Sequence, residues 1–177
     1  MHKLQLPLSS ETIATLEAFD RVLLSGTLYV GRDQVHQLLV GQLERGEELP
    51  IDLSTATIFY MGPSPAPAGR VIGSCGPTTS ARMDPFTPAL IEAGLRVMVG
   101  KGPRSEAVIS SIATHGALYL QAYGGCGALY GNTVTAVREI AFGELGPEAL
   151  IELTVKDFPA IVAVDMRGNS VFLARNR

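Results

Sequence analysis

Short apolar runs of strand length alternate along the chain with stretches of helical period, and glycines and prolines separate the two kinds of segment. That alternation predicts an α/β fold. Arg21 to Val30 (RVLLSGTLYV) reads as a strand, and Asp33 to Leu43 as a helix that Asp33 could cap, with Leu38, Leu39 and Leu43 as its buried stripe. Thr55 to Met61 (TATIFYM) reads as a second strand, ended by Gly62-Pro63, and the Pro/Ala-rich Ser64 to Gly69 as an exposed connection. Further on come a helix around Pro85 to Ala93, a strand from Leu95 to Val99, a helix from Ser105 to about Thr114 and a strand from Ala117 to Ala122. Gly124 to Gly127 (GGCG) makes a tight turn. The remainder reads as β-rich: Val134 to Phe142, Ile151 to Val155, and a hairpin from Ala160 to Leu173 turning at Arg167-Gly168-Asn169.

Composition narrows the function classes. The 177 residues, 46% hydrophobic and 18% charged, suffice for one sizeable core, so a single domain over 1–177 is expected. A net charge of -3 without a cluster of Lys and Arg argues against nucleic acid as a partner. No apolar run approaches the ~20 residues that span a bilayer, and the N-terminal Met1 to Pro7 lacks the apolar stretch of a secretory signal, so a soluble, cytoplasmic protein is expected. Two cysteines, Cys75 and Cys126, form neither a CxxC pair nor a Cys/His cluster, and no metal site is complete within the chain.

The chemistry concentrates in three glycine-flanked segments at predicted strand ends. Gly76 to Asp84 (GPTTSARMD) offers the hydroxyls of Thr78 and Thr79 and the guanidinium of Arg82, and Gly100-Lys101-Gly102 adds an ammonium. Arg presents a planar fork that matches a carboxylate, Lys a compact charge, and the hydroxyls donate to remaining oxygens, so a small polycarboxylate is the indicated ligand. The structural alternative is a strand-to-helix turn with a Thr cap and a solvated Arg82. Arg32 leaves a third strand end, with His36 four residues on along the same helix face; the plain alternatives are a surface cation and a helix-surface histidine. Neither glycine-rich segment has nucleotide-binding spacing. Cys75 and Cys126 read as small apolar side chains, with a nucleophile in a self-contained hydrolase as the minor alternative.

The series SGTLYVGRDQVH, FYMGP, GPTTSARMD and VGKG, from about Leu23 to Arg104, resembles the β subunit or C-terminal domain of class I iron–sulfur fumarate hydratases, and tartrate dehydratase β subunits share much of it. The resemblance implies a three-layer β/β/α swivelling domain. It implies a labile [4Fe–4S] cluster held by cysteines of an α subunit, an active site at the junction with that subunit, and a hetero-oligomer. Position by position, it makes Arg32, Arg82 and Lys101 the cations that grip substrate carboxylates, puts Thr78 and Thr79 at the substrate, and assigns proton transfer to Thr78.

His36 is the reserve candidate for proton handling, because imidazole titrates near neutrality. The implied reaction is reversible hydration of fumarate to L-malate, with L-tartrate dehydration as the close alternative. A module of another class, a noncatalytic dicarboxylate-binding or assembly unit, would bind dicarboxylates alone. An exposed face meant for a partner would let the isolated chain self-associate.

Overall fold

A computed structural model describes residues 1–173. Seven strands, β1 (His2–Gln5), β2 (Arg21–Val30), β3 (Thr57–Phe59), β4 (Val97–Gly100), β5 (Leu118–Gln121), β6 (Val134–Ala141) and β7 (Leu150–Val164), run in the order β1-β2-β3-β4-β5-β7-β6. The first five pair in parallel, whereas β7 is antiparallel to β5, β6 and β2. Because β7 pairs with both β5 and β2, strands β2, β3, β4, β5 and β7 close into a ring. The helices are α1 (Ser10–Thr15), α2 (Asp33–Glu44), α3 (Thr87–Glu92), α4 (Glu106–His115) and α5 (Gly127–Thr133).

Alternation along the short parallel strands divides the core into two. Phe59, Met61, Val97, Val99, Leu118 and Leu120 join Leu24, Leu28, Leu153, Phe158 and Val162 in one cluster, drawn from the parallel strands and β7. Their neighbours Ile58, Tyr60, Met98 and Tyr119 point the other way and meet Val35, Leu39, Leu90, Ile91, Val108 and Ile112 of the helices. Each such side chain contributes roughly 1.5–3 kcal/mol on burial, so strands with two covered faces are the anchored part of the fold.

The strand Arg21–Val30 forms as expected, and the helix after it runs one residue beyond Leu43. Its buried face is Val35, His36 and Leu39, with Leu38 and Leu43 only partly covered, because the sheet lies a turn nearer its start than the three leucines suggest. Asp33 does not cap it: Arg32 holds the capping position without a side-chain bond, and the Asp33 carboxylate turns to Arg82. Where a tight turn and β-structure were expected, Gly127–Thr133 is helical.

Its glycines explain this. A Cβ on Gly127 would lie 2.1 Å from Ser74 Oγ and one on Gly131 would lie 2.4 Å from Gly73 O, so a close approach to residues 73–76, rather than propensity, makes the helix. Strand β7 runs unbroken through Ile151–Val155 and Ala160, past Asp157 at φ 53° and Pro159. The final hairpin is reduced to a turn at Asp165–Asn169 and a single bridge from Val164 to Ser170. Among the described residues, no helix is long and apolar enough to cross a membrane.

Candidate active site

Parallel pairing puts the carboxyl ends of β2, β3, β4 and β5 at one edge, the edge where open α/β sheets bind ligands. Arg32 follows β2, Gly62 follows β3 and Lys101 follows β4. The segment from Pro77 to Ser80 returns to this edge and threads between β3 and β4. Thr78 N donates to Tyr60 O at 2.7 Å, Lys101 N to Thr78 O at 3.3 Å and Ser80 N to Lys101 O at 2.8 Å, with Met61 bridged to Pro77. The two turns that were separate in sequence are therefore one stitched unit, which carries Thr78, Thr79 and Lys101 together.

Neither threonine caps a helix. Thr79 precedes the 3-10 turn Ser80–Met83 without a side-chain cap bond, and neither threonine hydroxyl takes a partner among the described residues. Thr78 is half-buried and Thr79 exposed, so both hydroxyls remain available to a ligand. Lys101, half-buried, has no carboxylate within ion-pair distance among the described residues.

Arg32 and Arg82 are engaged by carboxylates of the chain itself. Arg82 pairs with Asp33 at the start of α2, which brings the 3-10 turn to the Arg32 loop. Arg32 pairs with Glu148, itself held by Gln34 at 2.8 Å, and its Nε is buried without a partner among the described residues. A Cβ on Gly62 would lie 2.6 Å from Arg32 Nη1, so the guanidinium rests on the bare backbone after β3. Three cations and two carboxylates thus share one edge.

His36 occupies different ground. It is fully buried, not on the helix surface, with Nδ1 2.8 Å from Arg32 O and its ring 5.1 Å from that of Tyr60 in an edge-on arrangement. Nδ1 therefore carries the proton and Nε2 is bare, with no partner among the described residues. Burial lowers its pKa to about 4, against a smaller opposing effect of the Arg32 carbonyl, so the ring is neutral at physiological pH.

Beneath the stitched turns lies a polar layer that sequence reading missed. Arg104, whose side chain is wholly buried, donates to Asp84 Oδ1 and to Thr87 Oγ1, both at 2.7 Å, and stacks over Tyr60 and Tyr119 at 5.3 and 4.9 Å. Asp84 Oδ2 accepts from Ser105 N at 2.7 Å, at the start of α4. Its one visible signal was the spacing of an acid and an arginine flanking the two chemical segments. Cys75 is buried, and that burial pushes its thiol up to about 11, away from nucleophile chemistry. Cys126 is half-buried at the start of α5.

Residues 2–175 match the family model described as Fumarase C-terminus. The chain belongs to that family. It is 39% identical over 154 residues to fumarate hydratase 2 of Leishmania major, covering 86% of this chain and 27% of that enzyme. To the anaerobic class I fumarate hydratase of Escherichia coli it is 40% identical over 154 residues, covering 86% and 28%. A Methanocaldococcus jannaschii protein named as a candidate L(+)-tartrate dehydratase subunit beta is 38% identical over 176 residues, covering 96% of this chain and 90% of that one. The chain of the fumarase C-terminus family thus spans about a quarter of the length of the fumarate hydratases it matches and nearly all of a β-type subunit.

Proposed function

We propose that this chain is the β subunit of a two-subunit hydro-lyase that reversibly hydrates fumarate to L-malate, built as one domain with a three-layer β/β/α swivelling architecture. The observation that carries the reading is the stitched unit of Thr78, Thr79 and Lys101, set at the same sheet edge as Arg32 and Arg82 with free hydroxyls. Near end-to-end correspondence with a β-type subunit supports a separate partner chain, and a cytoplasmic location belongs to the same proposal.

In this reading Arg32, Arg82 and Lys101 bind the two carboxylates of the substrate, and Thr79 donates to a carboxylate oxygen. Thr78 handles the proton: in hydration the π pair of the double bond takes the proton of its hydroxyl while water oxygen bonds to the adjacent carbon and gives up a proton to an acid–base group that the partner subunit supplies. In dehydration the Thr78 alkoxide takes back the proton next to the carboxylate, the neighbouring C–O bond breaks, and the partner subunit's acid protonates the departing hydroxide to water. A threonine hydroxyl serves so only if its alkoxide is stabilised, and the nearby cations supply that field. Neutral, buried His36 is assigned no proton step; it holds the Arg32 backbone.

Among the described residues no three or more of His, Cys, Asp and Glu gather as a metal site, and buried Cys75 is a poor ligand as it stands. The residues here do not fit a [4Fe–4S] cluster. The proposal therefore places the cluster on the α subunit and draws no step of this chain through it.

The test is anaerobic co-purification from native cytosol, with iron analysis and assays on fumarate and L-tartrate. A partner chain, bound iron and fumarate turnover that the isolated chain lacks are expected, and Thr78→Ala should lower kcat at least about a hundredfold with KM little changed. Turnover on L-tartrate alone would move the substrate to the second reading, which the Methanocaldococcus jannaschii relative favours. Tight dicarboxylate binding by the chain alone, with no partner, would make it a binding module instead.

A further inference from the structure

Tyr119 lies on β5 with no exposed surface, yet its hydroxyl reaches the underside of both chemical turns. It donates to Gly102 O at 2.8 Å, because a carbonyl can only accept, and so Ser80 Oγ, 2.8 Å away on its other side, donates to it. Gly102 N in turn donates to Gln121 Oε1 at 2.8 Å, two residues along the same strand. One strand thus holds the carbonyl and the amide of the residue next to Lys101 and, through Ser80, the residue next to Thr79. Space for the link is made by Gly100, where a Cβ would lie 2.1 Å from Ser80 Oγ.

We propose that Tyr119 is a positioning residue of the candidate site: its hydroxyl locks the Thr78–Arg82 segment to the Lys101 turn and fixes the distance between the threonine hydroxyls and the Lys101 ammonium. The inference rests on the reading of those groups as a carboxylate site, and it deepens that reading by naming what sets their spacing. The backbone joins the two turns by Ser80 N to Lys101 O at 2.8 Å and by the longer Lys101 N to Thr78 O at 3.3 Å, and neither bond reaches Gly102. The Tyr119 hydroxyl is the side-chain tie that spans both. Being buried, it meets no substrate and acts only through the loops it holds.

Tyr119→Phe removes the hydroxyl and keeps the ring that stacks on Arg104. Amide hydrogen exchange on the full chain is the first readout: Ser80, Lys101 and Gly102 should exchange about tenfold faster or more, with Leu24, Leu28 and Val162 unchanged. In the complex with its partner, kcat/KM for the dicarboxylate should fall about ten- to a hundredfold, the larger part in KM. Ser80→Ala cuts the same tie from the other end, so it should reproduce the exchange pattern, and the two changes together should cost little more than either.

Equal acceleration at all amides, or none at Lys101 and Gly102, would overturn the inference, as would unchanged kcat/KM in an active complex. A wild-type complex that turns over no dicarboxylate refutes the functional reading instead, and exchange at the two turns still decides whether Tyr119 positions them.

Discussion

Removing the carboxylate of Asp84 should destabilise the chain far more than its partly exposed position suggests. The side chain of Arg104 has 0% exposure and that of Asp84 12%, so the pair sits at the inner wall of the fold and not in solvent. Asp84→Ala leaves a buried guanidinium with Thr87 Oγ1 and the faces of Tyr60 and Tyr119 but no counter-charge. It also orphans Ser105 N at the start of α4. Stranding one member of a buried ion pair costs about 3–5 kcal/mol. With a urea m-value of about 2.5 kcal/mol/M, the unfolding midpoint should drop by about 1.2–2 M.

Urea titration of the full chain, followed by far-ultraviolet circular dichroism, measures this directly. A drop below about 0.4 M at unchanged m, worth about 1 kcal/mol, would place Asp84 among ordinary surface ion pairs and refute the argument. The partner substitution sharpens it: Arg104→Met is destabilising alone, but combined with Asp84→Ala it should cost less than the sum by about 2 kcal/mol, since the double variant buries no stranded charge. Additive losses would mean that the two side chains do not act as a pair.

Gly62→Ala meets only the flexible end of Arg32, 2.6 Å from Nη1, so thermal stability should hold while KM of the complex for its dicarboxylate rises about tenfold; an unchanged KM would take Arg32 out of the site. The pH dependence of stability should carry the signature of His36, whose pKa is near 4 when folded. Between that value and about 6.5 the unfolded chain holds more protons, so stability is lost as pH falls, by about 2 kcal/mol from pH 7.5 to 5.0. His36→Leu, which leaves the Arg32 carbonyl its bond from the residue 36 amide, should remove that share of the slope in paired urea titrations, and an identical slope would show that His36 titrates normally.

The candidate residues stand out in the sequence because their types are few and their segments are flanked or opened by glycine. The alternation of strands with helical stretches was legible too, from apolar runs too short for helices, while the parallel pairing that sets Arg32 and Lys101 at a common edge is seen only in the structure. Helix α5 was not, since Gly127 and Gly131 read locally as turn residues and only a distant backbone at residues 73–76 gives them a helical role. Strand β1 and helix α1 went unread although Ser9 accepts from Thr12 N and the apolar alternation of Leu4 and Leu6 was in view. Strand β7 was divided in two because Asp157 and Pro159 are strand breakers by composition. A bulge at Lys156–Asp157 opposite Ser25, where Asp157 N reaches Ser25 Oγ at 3.1 Å, absorbs Asp157, and Pro159 keeps its register opposite Leu23.

The layer under the site shows most clearly where local reading stops. Tyr119 sits in an apolar strand and alternates with Leu118 and Leu120, so its pattern states only which face it takes; that its hydroxyl meets Ser80 and Gly102 depends on the register of β5 against β4. Arg104 carries the opposite ambiguity, since a charged residue beside Pro103 and Ser105 reads as solvated, and its burial follows only once Asp84 is brought beneath it. Residues that could touch a ligand are recognisable by type, whereas residues that hold them are ordinary by type and special by address. Exchanging Thr78, Thr79, Arg82 and Lys101 into another scaffold without the buried Tyr119 support should therefore transfer the groups and not the spacing. The site is then a property of the strand beneath it as much as of the loops that display it.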